Sequence, residues 1–153
     1  MAADEPPIAQ ECIEGYLFVR EPLSILLFRR PPARGRIWVP VSGKVDPTDP
    51  DWESALRREV REETGLVDWR RWMPLDWHVV FEGPEGGRWR LHAYGIELDS
   101  RRAPVLSAEH EAFEWVDFDE ALHRLHYDDN REAVRRLMAR LADGTWGSAV
   151  PNV

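Results

Sequence analysis

REVREETGL, residues 58–66, puts Glu59, Glu62 and Glu63 where a helix should carry core residues. An α-helix turns about 100° per residue, so Trp52, Ala55, Glu59, Glu62, Glu63 and Leu66 fall within one arc of roughly 100°. Ser54, Arg57, Arg61 and Thr64 occupy the far side and already supply a wet face. Three inward carboxylates repel one another, and burial makes their charged forms costly. Protons, arginines or divalent cations would each relieve that cost. Arg58 and Glu62 make a favourable i,i+4 pair, but the two neighbouring arginines match Glu59 and Glu63 poorly. Hard oxygens at i and i+4 suit Mg²⁺ or Mn²⁺. A solvated acidic helix is the competing reading of the same wheel.

The flanking residues frame this helix. Asp49 can cap its free amides, Pro50 suits the first helical position and Gly65 ends it, which predicts a helix from about Pro50 to Thr64. Upstream, residues 12–19 and 23–28 read as paired strands and 36–41 as a short strand weakened by Pro40. Ser42-Gly43-Lys44 then reads as a loop in which a glycine lets backbone approach an ion or a phosphate. Downstream, Trp77–Phe81 and Trp89–Leu98 flank the turn EGPEGG, and Ala112–Val116 completes the strands. A second helix is expected after Asp117, with Glu120 as capping-box partner, and a third over Asn130–Ala142. The order predicts an α/β fold in one domain, residues 11–143. Residues 1–10 form a flexible tail in this reading, acidic and proline-bearing rather than like a signal peptide, and 144–153 a second tail.

At 153 residues the chain can build a real core. A net charge of −8 lacks the positive footprint of a general nucleic-acid binder, so DNA is not an expected partner. It leaves room for a small phosphorylated substrate held by local arginines. No apolar run is long enough to cross a bilayer. Cys12 is the single cysteine, which rules out an internal disulfide, suits a cytoplasmic home and reads as inert packing.

Strand, glycine loop and acidic helix together resemble the Nudix hydrolase signature. Arg58-Glu59-Val60-Arg61-Glu62-Glu63-Thr64-Gly65-Leu66 matches its second half at every defined position. The first half departs from it. Gly43 lies one residue farther from Arg58 than the family spacing, and Pro50 falls where an isolated glutamate should brace the loop, leaving Asp49 or Asp51, and less favourably Asp46, to replace it. Residues 106–115, with Glu109-His110 before an aromatic strand ending in Trp115, look like a stretch of two branches: dATP/dihydroneopterin-triphosphate pyrophosphohydrolases and asymmetric dinucleoside tetraphosphate hydrolases. Residues 37–43 and 128–133 look more like the first branch.

The resemblance implies an α/β/α sandwich with a mixed sheet and a Mg²⁺- or Mn²⁺-dependent pyrophosphohydrolase. Glu59, Glu62 and Glu63 would hold the metal with a backbone carbonyl of Ser42 or Gly43, Arg58 would orient the carboxylates, and Glu109 would be a further ligand or the general base. A nucleoside triphosphate would give a monophosphate and pyrophosphate. The alternatives are a dinucleoside polyphosphate hydrolase and a catalytically weak nucleotide-binding module. A homodimer is compatible with the family. His110 reads as a surface histidine. Arg29, Arg30 and Lys44 are candidates for phosphate, and strand alternation groups Arg88, Arg90, His92 and Tyr94 as a substrate strip or a wet face. Of the eight tryptophans, Trp38, Trp52 and Trp115 are expected in the core, Trp77 and Trp89 in the core or against a base, and Trp146 as a lid, a dimer contact or simply exposed.

Overall fold

A computed structural model describes residues 5–147. The strands are β1 (Ile8–Arg20), β2 (Leu23–Arg29), β3 (Trp38–Val39), β4 (Val41–Lys44), β5 (Arg71–Glu82), β6 (Arg88–Glu97) and β7 (Ala112–Val116). The helices are α1 (Trp52–Thr64), α2 (Phe118–Arg124) and α3 (Asp128–Asp143). One mixed sheet runs β3-β2-β1-β6-β5, with β4 on β1 and β7 on β2. Among the strands of the described residues, β1 and β6 pair in parallel and the other strand pairings are antiparallel.

Strand alternation splits the core between the two sheet faces. Ile13, Leu17, Leu26, Phe28, Tyr94 and Ile96 pack with Ala55, Leu56 and Val60 of α1. Tyr16, Phe18, Ile25, Leu27 and Ala93 pack with Ala121 of α2 and with Ala133, Val134 and Leu137 of α3. The result is the expected α/β/α sandwich.

Several boundaries differ from expectation. α1 starts at Trp52, because Asp51 is the cap: its carboxylate accepts from the Ser54 amide at 2.8 Å. Asp117 caps α2 as expected, but Glu120 binds Arg124 instead of closing a capping box. Ser42, Gly43 and Lys44, read as a loop, extend β4 and pair with Glu14, Ile13 and Cys12 of β1. Pro40 breaks the expected strand into β3 and β4, since it has no amide to donate. β5 begins six residues before the expected Trp77; Pro74 and the left-handed Asp76 (φ 55°) interrupt its register with β6.

Both tails contribute to the fold. Residues 8–10 belong to β1 and run along β6. Trp146 is buried edge-on to Phe18, with ring centroids 5.0 Å apart, and its Nε1 donates to Glu97 at 2.8 Å. Gly95 makes the space, because a Cβ there would lie 2.8 Å from the Trp146 ring. The remaining tail expectation, for residues 1–4 and 148–153, lies outside the described residues. Trp38 and Trp115 pack against the core, whereas Trp52 is 38% exposed and rests edge-on against His92.

Candidate active site

α1 and β4 meet at Gly43. A Cβ built there would lie 2.0 Å from Cδ of Glu59, so only glycine leaves space for that carboxylate. Arg58 organises the outer edge. Its Nη1 donates to Glu59 at 2.9 Å and lies 3.5 Å from Glu62. Its Nε and Nη2 grip Asp49 at 3.1 and 2.8 Å, and Nη2 also donates to the Lys44 carbonyl. Asp49 is therefore the carboxylate that braces the loop in this chain, while Asp51 caps the helix. The guanidinium holds Asp49 below the usual carboxylate range.

One turn further, Glu63 is almost completely buried and neither of its oxygens has a hydrogen-bond partner among the described residues. Burial, then the adjoining Glu59 carboxyl and the charge of Glu109, push its pKa well up. Burial also raises Glu59, against the pull of Arg58. Glu62 departs from the wheel expectation: its side chain is 54% exposed, at the outer edge of the arc. His110 departs too. It is buried against Phe28, with Nδ1 unpaired and 3.9 Å from Glu63, and burial holds its pKa down at about 4. Burial therefore favours its neutral form.

Among the described residues, no three carboxylate, imidazole or thiolate groups already stand as a complete ligand set. The donors nevertheless fit a hard divalent cation. Glu63 offers two unpartnered buried oxygens, Glu59 lies beside it, Glu62 is one turn away at the rim, and the β4 backbone runs past them. Burial and mutual repulsion favour a proton on this pair of carboxyls, and a divalent cation would take that proton's place.

A cavity of about 540 Å³ opens from Ser42, Gly43 and Lys44 along the opposite face of the sheet. Arg30, Arg34 and Lys44 supply cations, and Phe81, Trp89, Leu91 and Tyr127 supply apolar and aromatic wall. Neither Arg30 nor Arg34 has an ion-pair partner among the described residues, whereas Lys44 touches the exposed Glu85 at 3.3 Å. Glu14, Asp129 and Asn130 add acids and an amide to the lining of the same cavity, with Glu14 directly across the β1–β4 ladder from Ser42.

The other candidates lie elsewhere. Arg29 is engaged by Glu111 at 2.8 Å and does not line the cavity. Arg90 pairs with Glu11 at 2.5 Å, and His92 reaches the same carboxylate at 3.0 Å. Tyr94 is buried in the core under α1. The strip Arg90-His92-Tyr94 thus faces α1, and the alternate residues Trp89 and Leu91 face the cavity. Glu109 is exposed on the turn before β7, with its charge felt at Glu63. Sequence reasoning passed over Glu14, Arg34, Phe81, Tyr127 and Asn130. Glu14 left a trace as a lone acid in the apolar run CIEGYLFV, and Asn130 lies within the stretch 128–133 that resembles the first branch.

The NUDIX domain model matches residues 15–137. The chain is 36% identical over 122 residues to an octanoyltransferase of Myxococcus xanthus, covering 75% of this chain but 32% of that protein, so it spans about a third of that relative's length. It is 26% identical over 106 residues to the asymmetrical bis(5'-nucleosyl)-tetraphosphatase of Caenorhabditis elegans, covering 69% of this chain and 76% of the other. The dihydroneopterin triphosphate pyrophosphohydrolase structure from E. coli superposes with a TM-score of 0.74 at 20% identity, covering 88% of this chain and 99% of that one.

Proposed function

The chain belongs to the Nudix hydrolase family, and from that premise we propose that it cleaves a nucleoside triphosphate to a monophosphate and pyrophosphate. The observation that carries this reading is the unpartnered carboxylate of Glu63 beside Glu59, at the Gly43 end of a cavity with cationic and aromatic walls. Glu59, Glu62 and Glu63, with a carbonyl of Ser42 or Gly43, would hold Mg²⁺ or Mn²⁺. A cation bound there neutralises phosphate charge and lowers the pKa of a coordinated water.

The chain's own groups divide the remaining work. Arg30, Arg34 and Lys44 bind the anionic oxygens, placing the phosphate chain along the cavity toward Gly43. Arg58 keeps Glu59 and Glu62 aligned while anchored on Asp49. Water attacks phosphorus, the bridging P–O bond breaks, pyrophosphate leaves, and Glu109 takes the proton lost by the water. Arg29, Arg90 and Tyr94 act in packing and ion pairing rather than on substrate.

A dinucleoside polyphosphate is the second substrate reading, motivated by the similarity to the tetraphosphatase. Burial pushes the Cys12 thiol up to about 11, which disfavours a reactive thiolate at that position. The test is a screen of nucleoside triphosphates and dinucleoside tetraphosphates with Mg²⁺ or Mn²⁺, with products separated. Pyrophosphate plus monophosphate is the expected outcome. Production of ATP plus AMP from the tetraphosphate with inert triphosphates would replace it with the second reading, and binding without turnover would leave a nucleotide-binding module.

A further inference from the structure

A further cavity, of about 260 Å³, opens where the register of β5 against β6 breaks between Pro74 and His78. Two imidazoles line it, from His78 and His92. These residues are direct partners across the antiparallel pair, so both side chains leave the same face of the sheet. Their ring centroids lie 5.8 Å apart. Neither residue lines the cavity that holds Arg30, Arg34 and Lys44.

The two rings are held differently. His92 Nε2 lies 3.0 Å from Glu11 Oε1, and Arg90 grips the same carboxylate. That guanidinium keeps Glu11 below the usual carboxylate range. An ionised carboxylate only accepts, so Nε2 carries the proton and Nδ1 keeps a free lone pair. Trp52 packs edge-on against the ring, with centroids 4.5 Å apart, and limits its rotation. His78 is exposed and makes no hydrogen bond or ion pair among the described residues, so its ring is free to turn.

Two facing imidazoles are a poor way to fasten an edge strand by packing, since β-branched or aromatic pairs do it better. They suit a shared metal ion. A bond of about 2.0–2.1 Å from nitrogen to Zn²⁺ puts each ring centroid roughly 3.2 Å from the ion, so two rings on one ion stand up to roughly 6.4 Å apart. The observed 5.8 Å falls inside that limit. A carboxylate behind one imidazole is the usual support for a metal-binding histidine, because it fixes the tautomer and raises the basicity of the other nitrogen. Imidazole favours Zn²⁺, Ni²⁺ and Cu²⁺, whereas the oxygens of α1 suit Mg²⁺ or Mn²⁺. Asp76 lines the same cavity, but Arg140 engages its carboxylate, which leaves the remaining coordination to water.

We propose that His78 and His92 form a metal site separate from α1, for a borderline transition ion of the Zn²⁺ or Cu²⁺ class, with Glu11 orienting His92. Because one ligand comes from each strand, the site fastens the edge strand β5 to β6 beside its register break.

The test titrates Zn²⁺ into the full chain by calorimetry with Mg²⁺ in large excess, and reads Cu²⁺ at one equivalent by pulsed EPR, which counts coordinated imidazole nitrogens. The wild type is expected to bind Zn²⁺ saturably and to show two imidazoles on Cu²⁺. His78→Ala and His92→Ala are each expected to reduce the count to one and to weaken Zn²⁺ by roughly tenfold or more. Glu11→Gln is expected to weaken Zn²⁺ by roughly 10- to 100-fold with both imidazoles still counted. Fewer than two imidazoles in the wild type, or unchanged Zn²⁺ affinity in His78→Ala, overturns the proposal. So does binding that survives His78→Ala and is lost in Glu59→Gln, which assigns the ion to α1. Should His92→Ala not fold, the exposed His78 decides alone. Unchanged Zn²⁺ affinity in Glu11→Gln overturns the part given to Glu11.

Discussion

Glu14 and Glu63 are both buried acids, but they differ in how visible they are in the sequence. Glu63 belongs to a spaced set on a helix wheel, so its neighbours betray it. Glu14 is a single acid in an apolar strand, and its partners Tyr16 and Asn130 are joined to it by packing; Asn130 lies 116 residues away. Burial raises Glu14 from its ordinary 4.5 to about 7, overcoming the hydrogen bonds from Tyr16 and Asn130. The folded state then keeps a proton that the unfolded chain releases at lower pH. Stability from this group is full below about 4.5 and falls as pH rises to about 7. The loss is on the order of 3 kcal/mol. Urea unfolding at several pH values is expected to show Glu14→Gln gaining on the wild type across that window and then levelling off. A pH-independent difference would contradict the assignment. Gly43→Ala is a second test at this scale. Its methyl would collide with the Glu59 carboxylate, so kcat is expected to fall by about 10² or more, with secondary structure retained by circular dichroism.

Among the elements, α1 shows how a departure from the family spacing is absorbed. The extra residue puts Pro50 at the signature position and leaves aspartates on both sides of it. Asp51 serves the helix and Asp49 serves Arg58, each through contacts the other does not make. Their variants should therefore separate. Asp51→Ala is expected to cost about 1 kcal/mol in unfolding free energy as a lost N-cap, with metal affinity kept. Asp49→Ala is expected to weaken metal binding by roughly 10- to 100-fold, as loss of a group that orients the ligands does. Equal effects of the two on metal affinity would remove the division of labour. The existence of the three helices was legible in the sequence, but the cap of α1 was not: Asp49, expected there, binds Arg58, and Asp51 caps the helix. The first half of β5 was not, because Pro74 and the left-handed Asp76 disguise a strand whose register only β6 supplies. The continuation of β4 through Gly43 was hidden for a similar reason: glycine reads as a loop until Glu59 is seen above it.

For the whole molecule, the sheet divides two tasks between its faces. One face carries α1 and its acids, the other the cavity floor, and β4 at Gly43 connects them. Fold class was open to sequence reasoning because patterning and the acidic box agreed. The cavity's composition was not, since Arg34, Phe81, Tyr127 and Asn130 meet only after the chain closes. The C-terminal clasp was equally hidden. Trp146 seals the core over Phe18 and Gly95, so Trp146→Ala is expected to cost about 3–5 kcal/mol in denaturant unfolding. A change under 1 kcal/mol would mean that the clasp does not hold the fold.

In the proposed function the inward acids of α1 hold a divalent cation. Calorimetric titration of Mn²⁺ into the wild type, Glu59→Gln and Glu63→Gln tests it most directly, with thermal unfolding confirming that all three are folded. Saturable binding to the wild type, a rise in its melting temperature with Mn²⁺, and loss of both in each variant are the expected results. Folded variants that bind Mn²⁺ as tightly as the wild type, or a wild type that binds none, would contradict it.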